Sequence, residues 1–114
     1  MIIKDIAGLI NGNIICCRER ESTEIEFAFA SDLMSDVLTI EKDKLVLITG
    51  LSNLQVIRTS EMSDISCVIF ARAKKVNNEI IALATEMNIS LIESPYSVFR
   101  ISGLLYEAGI KPVF

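Results

Sequence analysis

The chain has 114 residues, of which 51% are hydrophobic and 23% charged, and its formal net charge is −4. This length fits one domain, the composition excludes a disordered chain, and the short apolar runs exclude a span of the ~20 residues that cross a bilayer. The negative net charge and the scattered lysines and arginines disfavour nucleic-acid binding. The absence of histidine excludes a His-dependent triad and removes the commonest metal ligand. We therefore expect no nucleic-acid or membrane partner, no metal and no cofactor.

Five short segments make up the first 30 residues. Residues 2–10 carry isoleucine and leucine at helical spacing, which predicts a helix that the turn at residues 11–13 ends. The apolar run at residues 14–17 is typical of a strand, and the charged residues 18–22 form an exposed connection. Residues 24–29 alternate in polarity, which predicts a half-buried strand. We therefore expect a small N-terminal helix and strand cap, and no signal peptide.

The alternating polarity of the preceding strand ends at Ser31, and the sequence that follows predicts the next helix. Ser31 is a candidate N-cap, and Asp32 would lie in the first turn, where a carboxylate suits the helix dipole. Asp32 and Asp36 are four residues apart and are expected on one helical face, where they could hold a metal or act as a base. Capping and solvation are the simpler interpretation of this pair.

Three apolar runs follow at residues 45–49, 67–71 and 89–92, and they recur every 22 residues with a helical segment between each pair. Continuous apolar runs are typical of strands that are buried on both faces. Strands alternating with helices predict βαβ units with right-handed crossovers. The predicted fold is therefore α/β, a single domain over residues 1–114 with a mostly parallel, helix-flanked sheet.

Polar side chains mark where the helices between these strands begin. Ser52 or Asn53 is expected to cap one helix and Asn77 the next. Ser94, with a proline directly after it, is expected to cap the final helix, which Gly109 ends. The helix starts and the strand ends should therefore lie at one edge of the sheet.

The three cysteines, Cys16, Cys17 and Cys67, lie in apolar surroundings. Adjacent cysteines have the wrong spacing for a CxxC redox pair, so we expect buried, reduced thiols and a cytoplasmic protein. Neighbouring residues of a strand point to opposite faces, which predicts that Cys16 and Cys17 face different cores.

Ligands of open parallel sheets bind where strands end and helices begin. The helix dipoles and the basic residues there would attract a phosphate or carboxylate. The residues expected to bind a small anionic metabolite or nucleotide are Asp32, Thr49, Gly50, Ser52, Asn53, Arg72, Lys74 and Ser94. The simpler interpretation is that the hydroxyl and amide groups only cap helices and that the bases are solvated.

Several segments together resemble the DRTGG domain family. They are residues 31–38, residues 47–51 with 55–59, and residues 99–109 (FRISGLLYEAG). The resemblance covers nearly the whole chain. It implies a fold similar to the N-terminal domain of the HPr kinase/phosphorylase and to the uridine-nucleotide-binding domain of muramyl ligases, in a family whose members are in some cases fused to CBS domains.

Two departures limit what this resemblance implies. Residues 26–30 lack the glycine pair of the family signature, so a ligand loop shaped by those glycines would differ here. Residues 49–53 (TGLSN) lack the Gly-Lys-Ser/Thr end of a Walker A loop, and the kinase's catalytic domain is missing, so we expect no HPr kinase activity.

We therefore expect a non-catalytic regulatory or ligand-sensing module. The first alternative is a protein–protein interaction domain without a small ligand. The second is a hydrolase that uses Asp32, Asp36 or Glu93, although no nucleophile is evident near them.

The apolar content also predicts self-association, as a homodimer. In a domain of this size some of the apolar side chains lie at the surface. Twofold dimers are the commonest closed assembly and would bury such side chains. Two surfaces are candidates: the strand over residues 24–29, as an exposed sheet edge, and the final helix with Phe99, Leu104, Leu105 and Tyr106. Residues 113–114 could cover either surface.

Overall fold

The computed structural model describes residues 1–72 and 75–114, so the predicted site residue Lys74 lies outside the described residues. Within the described part of the chain, no helix is long and apolar enough to cross a membrane. In chain order the elements are α1 (Ile3–Leu9), β1 (Asn13–Cys16), a 3-10 turn (Arg18–Arg20), β2 (Phe27–Ala30), α2 (Met34–Val37), β3 (Leu45–Thr49), α3 (Leu54–Met62), β4 (Cys67–Phe70), α4 (Asn78–Glu86), β5 (Ser90–Glu93), α5 (Val98–Glu107) and β6 (Lys111–Pro112).

The strands form a six-stranded sheet in the order β1-β5-β4-β3-β2-β6. Strands β2 to β6 are parallel to their neighbours, and β1 pairs antiparallel with β5. The chain steps from β2 to β5 in one direction, so right-handed crossovers place α2, α3 and α4 on one face. Helix α5 returns the chain to β6 across the other face, which it shares with α1. The predicted α/β fold with a mostly parallel, helix-flanked sheet is confirmed.

Strand β3 shows why the buried strands appear in the sequence as continuous runs of apolar residues. Leu45 and Leu47 pack into the core under α3 and α4, whereas Val46 and Ile48 pack into the core under α1 and α5. All four side chains are buried, because helices cover both faces of the sheet.

The N-terminal segments are confirmed as a helix and a strand, and strand β1 joins the main sheet by pairing antiparallel with β5. The predicted strand over residues 24–29 is observed at Phe27–Ala30, and its prediction as a sheet edge is wrong. Phe27 and Ala28 pair with β6 on one side, and the whole strand pairs with β3 on the other. The two-residue strand β6 therefore occupies the edge that β2 would otherwise expose.

Two predicted helix starts are wrong. Helix α2 begins at Met34 with Leu33 as N-cap, and the Ser31 hydroxyl instead accepts a hydrogen bond from the Leu33 N–H at 3.0 Å. Asp32 precedes this helix and does not share a helical face with Asp36. The reason is that the Asp32 carboxylate is bound across the sheet edge to the end of β3.

Helix α5 likewise begins later than predicted. Its N-cap is Ser97, whose hydroxyl accepts from the Arg100 N–H at 3.1 Å. Ser94 is buried, and its hydroxyl donates to the Ile10 carbonyl at 2.7 Å, so it ties the end of β5 to the end of α1. The predicted cap Asn77 and the glycine stop at Gly109, which has a φ of 103°, are confirmed.

All three cysteines are free and buried, as predicted, but Cys16 and Cys17 pack into the same core. Cys17 has a φ of 55°, in the left-handed region, and this turn of the backbone brings its Sγ within 3.5 Å of the Cys16 Sγ. The alternation of side chains in a strand therefore stops at Cys16, the last residue of β1.

These thiols are expected to react slowly in the folded protein. Burial raises the pKa of the Cys67 thiol to about 12, so very little reactive thiolate is present near neutral pH. At pH 8 we expect a thiol-specific reagent such as DTNB to modify Cys67 at least about tenfold more slowly in the native protein than in denaturant. A Cys16→Ser/Cys17→Ser variant isolates this signal, and equal rates in both states would contradict the buried placement.

Ser60 carries a buried hydroxyl that has no hydrogen-bond partner among the described residues. Ser60 lies within α3, where alanine is also the better helix former, so Ser60→Ala is expected to raise the free energy of unfolding by about 1 kcal/mol. Ser90 is the matched control, because its equally buried hydroxyl donates to the Cys17 carbonyl at 3.2 Å. Ser90→Ala should lower stability by about 1 kcal/mol. Urea unfolding of both variants checks the opposite signs, and a loss of stability in Ser60→Ala would contradict the prediction.

Candidate functional site

The loops that follow β2, β3, β4 and β5 lie side by side at the carboxyl edge of the parallel strands. The strand ladder continues one residue beyond the ends of β2, β4 and β5. The backbone N–H groups of Ser31, Ala71 and Ser94 each donate to a carbonyl of the neighbouring strand at 3.0 Å. The first turns of α3, α4 and α5 face this edge with N–H groups that lack partners within their helix.

Asp32, Thr49 and Gly50 form a hydrogen-bonded cluster at the centre of this edge. The Asp32 Oδ1 accepts from the Thr49 hydroxyl at 2.9 Å and from the Gly50 N–H at 2.8 Å. The Thr49 hydroxyl in turn accepts from the Leu51 N–H at 3.2 Å. The structure thus brings three predicted site residues together, with Asp32 fixing the loop after β3.

The Asp32 carboxylate lies directly beside Gly50. A Cβ atom added at Gly50 would lie 3.4 Å from the Asp32 Oδ2, an ordinary van der Waals contact, so the cluster uses the main chain of Gly50 and does not require a glycine there. With Oδ1 occupied, Oδ2 remains as a hydrogen-bond acceptor at the surface. A ligand hydroxyl is the natural donor to such an oxygen.

The loop between β3 and α3 also connects to the next loop. The Ser52 hydroxyl donates to the Lys75 carbonyl at 3.2 Å. Asn53 caps α3, because its side-chain oxygen accepts from the Val56 N–H at 3.1 Å. Of the two predicted caps, Ser52 and Asn53, the structure shows Asn53 as the cap, and the amide nitrogen of its side chain is left as a donor.

Arg72 contributes an exposed guanidinium to the loop after β4. Its backbone has a φ of 62°, and its N–H donates to the Tyr96 carbonyl at 2.7 Å, so this loop is bound to the one that follows β5. The Tyr96 ring lies 3.7 Å from the Arg100 guanidinium carbon in a cation–π contact. Arg72 is therefore anchored through its main chain, and its side chain is exposed at this edge.

Ser94 lies at the carboxyl edge but is buried, so its side chain stabilises the loop after β5 from inside the domain. Next to it, a polar cleft of about 330 Å³ is lined by Asn11, Asn13, Glu93, Ser94 and Pro95. Asn13 pairs with Glu93 across β1 and β5, which brings the turn after α1 to this same edge. The cleft thus extends the candidate site toward the antiparallel side of the sheet.

The charges at this edge are mixed. Arg72 and Lys75 are exposed cations, and Asp32 and the half-buried Glu93 are acidic. Within residues 1–72 and 75–114, no group of three His, Cys, Asp or Glu residues is placed to hold a metal ion. The arrangement combines cations and helix N–H groups, which attract anions, with carboxylates that accept hydrogen bonds.

Two features of the site were missed from the sequence. One is Ser97 as the cap of α5, for which the signal was a second serine three residues after Ser94. The other is the main-chain contact between Arg72 and Tyr96, which joins two loops and has no local sequence signal.

The fold and this edge define a small α/β domain in which capped helix starts lie at the carboxyl edge of the sheet. The family model of the DRTGG domain matches residues 5–108, so the chain belongs to the DRTGG domain family, and the resemblance noted from the sequence is confirmed. No match was found among curated proteins.

Among solved structures, the chain is similar to the CBS and DRTGG domains of the regulatory region of Clostridium perfringens pyrophosphatase, in a complex with the activator diadenosine tetraphosphate. The TM-score is 0.71 at 20% sequence identity, over 91% of this chain and 45% of that chain. The chain therefore spans less than half of that structure. At this identity the likeness shows a shared fold.

Proposed function

We propose that this protein is a non-catalytic regulatory or ligand-sensing module that binds a small anionic metabolite or nucleotide at the carboxyl edge of its sheet. The observation that carries the proposal is the joining of four loops at that edge by the Asp32–Thr49–Gly50 cluster, the Ser52–Lys75 contact and the Arg72–Tyr96 contact. Loops tied together in this way form a pre-organised surface, which lowers the entropic cost of binding.

Within this proposal the site residues have different roles. The Arg72 guanidinium binds the anionic group, assisted by Lys74 and by the N–H groups at the start of α3. The Asn53 amide nitrogen donates to the same group. The free Asp32 oxygen accepts from a hydroxyl of the ligand. Thr49, Gly50, Ser52 and Ser94 hold the loops in this arrangement.

A ligand that offers both an anion and a hydroxyl fits these roles better than a bare anion, which favours a nucleotide. The similar pyrophosphatase regulatory region, whose complex contains diadenosine tetraphosphate, supports the same class. We propose that the module acts without catalysis of its own, in the cytoplasm, where its three free thiols remain reduced.

The proposal is tested by thermal-shift screening with nucleotides, nucleotide sugars, phosphorylated sugars and diadenosine tetraphosphate. We expect at least one to raise the Tm, and calorimetry should show Arg72→Ala weakening its affinity about tenfold, the loss of one charge-assisted contact. Arg58→Ala is the matched control, because Arg58 is equally exposed but lies along α3 away from its start. No stabilisation across the panel, or equal losses in both variants, would reject the site.

A protein-interaction module is the second candidate function, and exposed aromatic side chains favour it. Phe99 is 89% exposed in the first turn of α5, and Tyr106 is 69% exposed near the end of the same helix. Such exposure of large apolar groups is typical of interaction surfaces. We propose the partner to be a second copy of the chain, in a homodimer. This surface and the ligand edge are compatible in one molecule.

A further inference from the structure

The polar cleft at the carboxyl edge lies between the end of β5 and the turn that joins α1 to β1. Its volume is about 330 Å³, and its lining consists of Asn11, Asn13, Glu93, Ser94 and Pro95. The Ser94 hydroxyl is engaged within the protein, because it donates to the Ile10 carbonyl and accepts from the Tyr96 N–H. The two asparagine side chains and the Glu93 carboxylate form no hydrogen bond or ion pair with any residue that the structure describes. These three side chains are therefore the polar groups of the cleft that a ligand can engage.

Glu93 and Asn13 lie side by side in this lining. They are directly paired across β5 and β1 in the antiparallel ladder, so their side chains lie on the same face of the sheet with Cβ atoms about 5 Å apart. Glu93 is half-buried and Asn13 is exposed. The carboxylate only accepts hydrogen bonds, whereas the carboxamide beside it both donates and accepts. The pair therefore favours a ligand edge that carries donors next to an acceptor.

The turn that leads into Asn13 is held tightly against β5. A Cβ atom at Gly12 would lie 3.0 Å from the Glu93 carbonyl oxygen, so the two main chains are in close contact. The hydrogen bond of 2.7 Å from the Ser94 hydroxyl to the Ile10 carbonyl fixes the other side of the same turn. The cleft is therefore formed before a ligand arrives, which lowers the entropic cost of binding.

The cleft and Arg72 are placed to bind two different parts of one ligand. Strand β5 separates β4, which precedes Arg72, from β1, which begins at Asn13. Neighbouring strands lie about 4.8 Å apart, so the ends of β4 and β1 at this edge are about 10 Å apart. A nucleotide carries its base and its phosphates on opposite sides of a ribose and can reach both places. A phosphorylated sugar has no base to fill the cleft.

We propose that the cleft binds the base of a nucleotide and selects guanine. This inference rests on the proposed function and names the ligand class of that same site. Guanine presents two adjacent N–H donors, which the Glu93 carboxylate accepts together, and beside them a carbonyl oxygen, to which the Asn13 amide donates. Adenine and cytosine present one amino group next to a ring nitrogen whose lone pair repels the carboxylate. Uracil presents a single N–H between two carbonyl oxygens, which repel it as well.

The test is calorimetric titration of the full chain with the diphosphates of guanosine, inosine and adenosine, which differ only in the base. We expect GDP to bind at least about tenfold more tightly than ADP, with IDP, which lacks the exocyclic amino group, in between. Glu93→Gln should weaken GDP binding about tenfold without weakening ADP binding, because the amide replaces one accepting oxygen by a donor. Glu107→Gln is the matched control, because it removes the same charge from an exposed position at the end of α5 and should leave the preference unchanged. Circular dichroism checks that each variant is folded.

The other outcomes separate this inference from the proposed function. Equal affinities for GDP and ADP, or a preference for ADP, would overturn the selection of guanine and leave nucleotide binding at the edge intact. A preference for GDP that persists in Glu93→Gln would place the base outside the cleft and overturn the inference in the same way. If none of the three diphosphates binds at millimolar concentration, the inference is rejected. The thermal-shift panel then decides the proposed function separately, because stabilisation by an anionic metabolite of another class would retain it.

Discussion

Replacing Phe70 with alanine is expected to lower the free energy of unfolding by about 4 kcal/mol, the largest effect of any substitution considered for this chain. Phe70 is fully buried at the end of β4, in the middle of the sheet, where it packs into the core under α3 and α4. Alanine would remove the buried ring and leave a cavity that strands on both sides prevent from collapsing. Urea unfolding followed by circular dichroism measures the change.

The control for Phe70→Ala is the same substitution at a surface position. Phe114→Ala removes a ring that is 88% exposed, so its effect should stay within about 0.5 kcal/mol. A loss below about 1 kcal/mol for Phe70→Ala, or equal losses at both positions, would show that Phe70 is not in the core.

Substitution of Gly12 is expected to have the next largest effect, although it adds only one methyl group. A Cβ atom at this position would lie 2.7 Å from the Ile92 Cγ2 and 3.0 Å from the Glu93 carbonyl oxygen. Ile92 is fully buried and the carbonyl belongs to β5, so neither can move without disturbing the sheet. We expect Gly12→Ala to lower the free energy of unfolding by about 2 kcal/mol.

Gly8 provides the matched control for Gly12. It lies inside α1, and a Cβ atom there would meet nothing within 4 Å. Gly8→Ala should therefore raise the free energy of unfolding by about 0.5 to 1 kcal/mol, because alanine is the better helix former. The two substitutions are chemically identical, and denaturant unfolding should give opposite signs. A stabilising Gly12→Ala would contradict the tight approach of the α1–β1 turn to β5.

The central strands could be predicted from sequence because their burial on two faces leaves a strong local signal. Residues 45–49 were predicted with the bounds that β3 has in the structure. Strand β6, in contrast, consists of Lys111 and Pro112 and has neither apolar character nor length to indicate a strand. It forms because α5 ends next to β2, so that the residues that follow the helix can pair with this strand. The edge of the sheet therefore could not be assigned from local pattern.

In the candidate site, too, interactions between residues close in sequence could be predicted and interactions between distant residues could not. Asn77 could be predicted as a cap, and the cap of α3 could be narrowed to Ser52 or Asn53, because a cap acts on its own helix, three residues away. Asp32 and Ser94 were assigned to helix starts, but their side chains bond to Gly50 and Ile10, which are far away in the sequence. Hydrogen bonds of this range compete with capping, and the sequence alone does not indicate which prevails.

Binding of an anionic ligand at the carboxyl edge of the sheet is tested most directly by NMR. Two-dimensional ¹H–¹⁵N spectra of the chain would be recorded during titration with ATP and with diadenosine tetraphosphate. We predict saturable shifts of the backbone signals that are largest at Gly50, Ser52, Asn53 and Arg72, with smaller changes at the exposed face of α5. Saturable shifts centred on another surface, or no shift with either nucleotide at millimolar concentration, would contradict the account.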